Sequence, residues 1–123
     1  MHRTLLLAAY IWLASTGLLH FGIDVISTYL RETRVPGPAT TLYYGMNAAY
    51  ALGQIIFGLA GVWLTWRAPE LLGEWLAIIL SLAGAVGWLA IGFIFIEYWQ
   101  PRIAIAAFGI LIIAAAMTTR SNP

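Results

Sequence analysis

Thr16, His20, Asp24, Ser27 or Thr28, and Arg31 follow one another at intervals of three or four residues, all but Arg31 within a stretch from Leu5 to Leu30 that is otherwise largely apolar. Such intervals align side chains on one face of an α-helix. A histidine and a carboxylate inside a membrane-length segment are costly to insert and as a rule face inward. A carboxylate one turn from an imidazole orients the ring and raises its basicity, as general acid–base catalysis or a proton relay requires. The same spacing also lets the pair satisfy itself with no further role, or lets Asp24 reach the nearby interface. Both readings stay open.

A second polar line answers the first: Tyr43, Asn47, Tyr50 and Gln54, continued by Gly58 and Gly61. Taking about 1.5 Å per residue, Asp24 and His20 lie about 8 and 14 Å inside the end of their segment near Tyr29. Asn47 and Tyr50 lie about 10 and 15 Å inside theirs, counted from Thr40. The two lines overlap in depth, and Glu97 leaves a third segment on the same side. His20, Asp24 and Glu97 are therefore the candidate catalytic residues. Asn47, Tyr50, Tyr43, Tyr44 and Gln54 are the candidate ligand contacts, although Asn47 and Gln54 also suit helix-to-helix hydrogen bonds of about 1 kcal/mol or less. Glu97 has a plain alternative in pairing with Arg102. Trp12 and Trp88 lie too deep for an interfacial belt and either wall a pocket or fill the core, whereas Tyr98 and Trp99 read as belt residues.

Positioning these groups requires four membrane-length helices, at about 4–30, 40–66, 71–99 and 101–117. The 123-residue chain is 62% hydrophobic and 9% charged. A water-soluble domain of that size could hardly cover so much apolar surface. At about 20 residues per span, four spans use nearly all of it, so a single transmembrane domain over 1–123 is expected. All five prolines fall in the proposed connections or the tail, where helix continuation is not needed. The fold class expected is all-α: an integral membrane, antiparallel four-helix transmembrane bundle. So small a bundle has little interior, and a homodimer or larger homo-oligomer is expected, with the fourth helix free to pack.

Several classes of chemistry are excluded or unsupported. There is no cysteine, hence no disulfide or thiolate site. A formal charge of +1 offers no footprint for nucleic acid. One histidine with scattered carboxylates makes a weak metal set, so no metal site is assigned. No cofactor is assigned either; a second axial histidine for haem would have to be His2, at the far side. No phosphate loop, nucleophile elbow or zinc-protease motif occurs. Arg3, Arg67 and Arg120 balance Arg31, Arg34 and Arg102 across the two sides, so charge alone does not orient the chain. The termini are expected on the cytoplasmic side.

From Leu42 to Met117, Tyr43-Tyr44-Gly45, Ala51-Leu52-Gly53, the turn Arg67-Ala68-Pro69-Glu70-Leu71-Leu72 and the Gly-rich segment after it resemble the small four-helix bacterial membrane proteins grouped as DoxX-like. The resemblance covers about two-thirds of the chain. It implies a four-span bundle in a bacterial inner membrane and transfers no catalytic motif, since the group has no single activity.

The function expected is binding of a lipophilic small molecule in a polar pocket in one half of the bilayer, with His/Asp acid–base chemistry of isomerase, cyclase or hydrolase type. His20 would be base or acid, Asp24 its orienting partner, Asn47 and Tyr50 positioning donors and Glu97 a second acid. Two alternatives stand beside it. One is a small proton-coupled dimeric transporter, similar in size to the small multidrug resistance transporters, whose acid however lies deeper than Asp24. The other is a non-catalytic accessory membrane subunit.

Overall fold

The structure, a computed structural model, describes residues 1–120, with side chains described through Thr118. Every regular element among these residues is helical. Helix α1 is His2–Leu30, α2 is Pro38–Arg67, α3 is the single turn Pro69–Leu72, α4 is Trp75–Phe95 and α5 is Gln100–Arg120. Four of them, all but α3, are long and apolar enough to cross a membrane. The polar tail expected from Thr118 begins inside α5. Residues 121–123, and the side chain of Arg120 counted above in the charge balance, lie outside the described residues.

Prolines start helices here as their chemistry demands: Pro38, Pro69 and Pro101 all sit in first turns, where no amide donor is needed. Helix α1 ends differently. Glu32 N–H bonds the Tyr29 carbonyl at 3.2 Å and Thr33 N–H the Thr28 carbonyl at 3.4 Å. This pair of bonds makes a Schellman end, with Glu32 in the left-handed region at φ 50°.

Close approach of α1 and α2 is made possible by glycines. A Cβ on Gly58 would stand 2.6 Å from the Ala14 amide nitrogen, one on Gly17 would meet the Gln54 Cβ at 2.9 Å, and one on Gly61 would enter the Tyr10 ring. Small residues play this part between helices where lipid offers no hydrophobic drive. The partners run in opposite order along the two helices, Tyr10 beside Gly61 and His20 beside Asn47. Helix α5 packs on the other flank of α1, with Trp12 Nε1 donating to the Ala104 carbonyl at 2.8 Å. Tyr10 joins α1 to α4. Because Ser81 Oγ donates to the Ala77 carbonyl, the Tyr10 hydroxyl is the donor to Ser81 Oγ, at 2.9 Å.

The apolar core occupies the half of the molecule nearer the N-terminus, around Leu6, Tyr10, Leu13, Leu72, Phe108 and Ile112. Trp88 belongs to the edge of this core: it meets Phe57 edge to face, with ring centroids 5.6 Å apart, and lies against Gly53 and Gly84. His20, Asp24 and Asn47 are left to the opposite half.

The third span differs from the continuous helix expected over 71–99. A separate turn, Pro69–Leu72, precedes it, and α4 stops at Phe95 with Ile96 extended at φ −111° and ψ 120°. The reason lies in Arg102. Its Nη2 donates to the Ile96 carbonyl at 2.7 Å and its Nε to the Gly92 carbonyl at 3.2 Å. In a continued helix, backbone amides four residues on would bond those carbonyls. The guanidinium thus closes the end of α4, a favourable place for a cation, and residues 96–99 turn back toward α1.

Candidate functional site

Phe21–Ser27, the part of α1 that carries Asp24, is π-helical rather than α-helical. Single π turns inside long helices are rare and often sit at functional positions. His20 ends the α-helical part and Asp24 follows four residues on. His20 Nδ1 and Asp24 Oδ2 are 3.0 Å apart, with the imidazole 5% and the carboxylate 14% exposed. The pairing expected from the spacing is present.

The second imidazole nitrogen has a different partner. His20 Nε2 lies 2.9 Å from Asn47 Oδ1, and Asn47 Nδ2 donates to the Tyr43 carbonyl at 2.9 Å. Only the amide nitrogen of Asn47 can face a carbonyl oxygen favourably, so its oxygen must face His20. Nε2 therefore carries a hydrogen and donates. One proton remains for the Nδ1–Asp24 contact, whether drawn as imidazolium with carboxylate or as neutral imidazole with carboxylic acid. Either way the pair has no net formal charge. Asn47 thus stands behind the ring and sets its tautomer, rather than among the ligand contacts where the sequence reading put it. The exchangeable proton of the pair lies on the Asp24 side.

Beside this pair opens a cavity of about 540 Å3. Trp12, Thr16, His20 and Asp24 line it from α1, Tyr50 and Gln54 from α2. Tyr98, Trp99 and the start of α5 through Ala104 complete it. Two phenol rings attend the imidazole, Tyr50 with its centroid 5.0 Å away and Tyr98 at 6.5 Å, the latter stacked. The hydroxyls of both are buried without a hydrogen-bond partner. The Tyr98 hydroxyl is held above the ordinary phenol range, first by burial and then by the nearby Asp24 carboxylate. It keeps its proton and feels Asp24 as a neighbouring charge, short of hydrogen-bond geometry. Tyr50 lies deeper, 4% exposed, its hydroxyl facing the space left by Gly92, where a Cβ would come within 3.7 Å.

A second cavity, about 460 Å3, is lined by Arg34, Tyr43, Asn47, Glu97 and Tyr98 among others. Arg34 covers the Tyr43 ring at 3.4 Å from its centroid, and the Tyr43 hydroxyl donates to the Asp24 carbonyl at 3.3 Å. Tyr98 is common to both cavities.

The structure therefore brings His20, Asp24, Tyr50, Gln54 and Trp12 together at one cavity. It separates five other candidates from it, Asn47 behind the ring being one. Glu97 is exposed and lines only the second cavity, and Arg102 bonds carbonyls instead of Glu97. Tyr43 faces that second cavity too, Tyr44 packs edge-on to Tyr43 and Tyr29, and Trp88 fills the core edge. Tyr98 and Trp99, read as belt residues, wall the first cavity instead. The signal for them is Pro101 followed by Arg102, which stops α4 early and folds 96–99 inward. No cluster of three metal-ligating side chains occurs among the described residues. Comparison with protein-family models, with curated proteins and with solved structures finds no match for this chain.

Proposed function

We propose that the chain is an integral membrane protein, an antiparallel four-helix transmembrane bundle of bacterial inner-membrane type similar to the DoxX-like group, that binds a lipophilic small molecule beside His20 and Asp24. One observation carries this reading: a cavity of about 540 Å3, walled largely by apolar and aromatic side chains, is lined by one buried proton-sharing pair and by the two tyrosines that flank its imidazole. An apolar pocket with a few convergent polar groups is the usual form of a small-molecule site. Acid–base chemistry would pass through Asp24, because Nε2 of His20 is engaged by Asn47.

The test is mass spectrometry of molecules that co-purify with the protein in mild detergent, compared with Ala104→Phe, which fills the cavity, and with Asp24→Asn. A stoichiometric lipophilic molecule in the wild type, lost in Ala104→Phe, supports the reading. An empty wild type that also binds no lipophilic probe overturns it.

Proton-coupled transport has its own supporting observation, a second cavity that shares Tyr98 with the first and is lined by Asn47, the partner of His20. Flux in liposomes that collapses in Asp24→Asn while binding survives would favour transport over catalysis.

A further inference from the structure

The larger cavity is open along one side. Leu19 and Ile23 of α1 and Ile103 of α5 line it and are each more than half exposed, so its mouth runs between these two helices. Counted from Tyr29, Ile23 and Leu19 lie about 9 and 15 Å inside the end of the span, at the depth of acyl chains. Such a mouth favours a largely apolar ligand.

The polar side chains around that space are unevenly committed. Trp12 Nε1 donates to the Ala104 carbonyl and Thr16 Oγ1 to the Leu13 carbonyl. His20 Nε2 donates to Asn47, and Nδ1 shares a proton with Asp24 Oδ2. The hydroxyls of Tyr50 and Tyr98 are buried from the cavity, and Gln54, 2% exposed, stands beside that of Tyr50. Trp99 and Gln100 lie at the exposed, interfacial end. Asp24 differs from all of these. Its carboxylate is 14% exposed, and His20, at Oδ2, is its one bonding partner among the described residues. Wherever the shared proton sits between Nδ1 and Oδ2, the second oxygen offers lone pairs only. Tyr98 stands near the carboxylate, short of hydrogen-bond geometry. Inside its mouth, the cavity thus presents an accessible acceptor and spends its donors elsewhere. The complementary ligand is a donor.

Charge narrows the class further. The His20–Asp24 pair is neutral as a unit, and Arg102 is turned onto the carbonyls of Gly92 and Ile96. An ammonium would have to expel the shared proton to gain Asp24 as counter-ion, and an anion would meet the carboxylate with no free cation. Either would be an uncompensated charge in an apolar surround, which is costly. A neutral O–H adds no charge, and its bond to a carboxylate oxygen is of the strong kind.

We infer that the cavity takes a neutral lipophilic alcohol whose hydroxyl donates to the second oxygen of the Asp24 carboxylate. This rests on the binding reading above and names its ligand class. The apolar body of the ligand lies against Trp12, Leu19, Ile23 and Ile103.

The experiment uses four probes of one shape, 2-decalol, 2-decalone, 2-aminodecalin and decalin, with wild type and Asp24→Ala in nanodiscs and the empty-disc signal subtracted. Wild type should bind the alcohol about tenfold tighter than decalin, a gain that the ketone does not share, and Asp24→Ala should lose most of that preference. Decalin binding by the variant certifies its fold. A second readout needs no variant. Asp24 is the sole aspartate of the chain, so the carboxyl resonance of protein labelled with 13C-aspartate reports this group alone. Added 2-decalol should shift it, and decalin should not. Equal binding of alcohol and decalin, or a resonance that 2-decalol leaves in place, overturns this ligand class and leaves the binding reading standing. Tightest binding of the ketone overturns it in favour of an acceptor ligand, and of the amine in favour of a cation. Failure of every probe to bind overturns the ligand class, and with nothing co-purifying it overturns the binding reading as well.

Discussion

Asn47 Oδ1 stands 2.9 Å from His20 Nε2, and because the Asn47 amide nitrogen is committed to the Tyr43 carbonyl, the imidazole is held with its hydrogen on Nε2. The 15N resonance of Nε2 should accordingly show a directly bonded proton throughout the neutral pH range. Asn47→Leu leaves that buried N–H unpaired, while the Tyr43 carbonyl keeps its helical amide donor, and should lower unfolding stability by about 1–3 kcal/mol. Detergent unfolding of the variant measures the loss. A Nε2 signal without a bonded proton in the wild type would show that the tautomer is set otherwise.

Arg102 closes α4 through two charged hydrogen bonds, to the carbonyls of Gly92 and Ile96. Arg102→Met should cost about 1.5–3 kcal/mol, the range for bonds to charged groups. It should also loosen 96–99 and so disturb Tyr98 more than Tyr50. Hydrogen exchange of backbone amides in that segment, compared with α2, reads the effect.

The glycines divide by what surrounds them. Gly58→Ala and Gly61→Ala force α1 and α2 apart, since the added methyl meets Ala14 backbone or the Tyr10 ring. Each should destabilise by about 1–3 kcal/mol, the cost of overpacking. Gly45→Ala and Gly87→Ala have nothing within 4 Å of the added methyl and should be neutral or stabilising. Thermal unfolding of the four variants side by side separates steric packing from general helix propensity.

Glu32 holds a left-handed backbone conformation that costs an L-residue roughly 1–2 kcal/mol. Glu32→Gly relieves it, though greater unfolded-state freedom offsets part of the gain. A net stabilisation of about 0.5–1 kcal/mol is expected. Ligand binding should be unaffected.

Tyr98 supplies an alkaline signature. Its phenol is held above the ordinary range in the folded protein by burial and by Asp24. Above the ordinary phenol pKa of about 10 the unfolded chain loses a proton that the folded chain retains, so stability falls as pH rises. Tyr98→Phe should make that slope shallower, the other buried phenols keeping their share. Parallel unfolding of wild type and variant between neutral pH and about 11 tests it, and identical slopes would show that Tyr98 ionises freely.

Where the spacing rule applied, the sequence was readable. His20 and Asp24 meet because four residues is one helical turn, and the four apolar helices follow from runs of hydropathy that prolines interrupt. Asn47 reaches His20 because the depths match, a relation that needs only the rise per residue. What escaped depends on side chains that act on backbone at a distance. The stop of α4 is produced by a guanidinium from the next helix, and a period-based reading sees only apolar residues through Phe95. Spacing alone consequently assigns Tyr98 and Trp99 to the interface, and Glu97 to a cavity that it does not line. The role of Asn47 was similarly hidden, since which way an amide faces depends on the Tyr43 carbonyl one turn back.

A π turn holds one residue more than the α turn it replaces. The first span therefore carries a surplus residue between Phe21 and Ser27, and everything after it is rotated by about 100° from where an uninterrupted helix would put it. Deleting Ile26, two residues after Asp24, should let this surplus anneal away, straightening the helix while leaving His20 and Asp24 one turn apart. The chain thus stores a register shift beside its only buried acid–base pair among the described residues. Passing that surplus along the helix would turn Asp24 without breaking either end of the span.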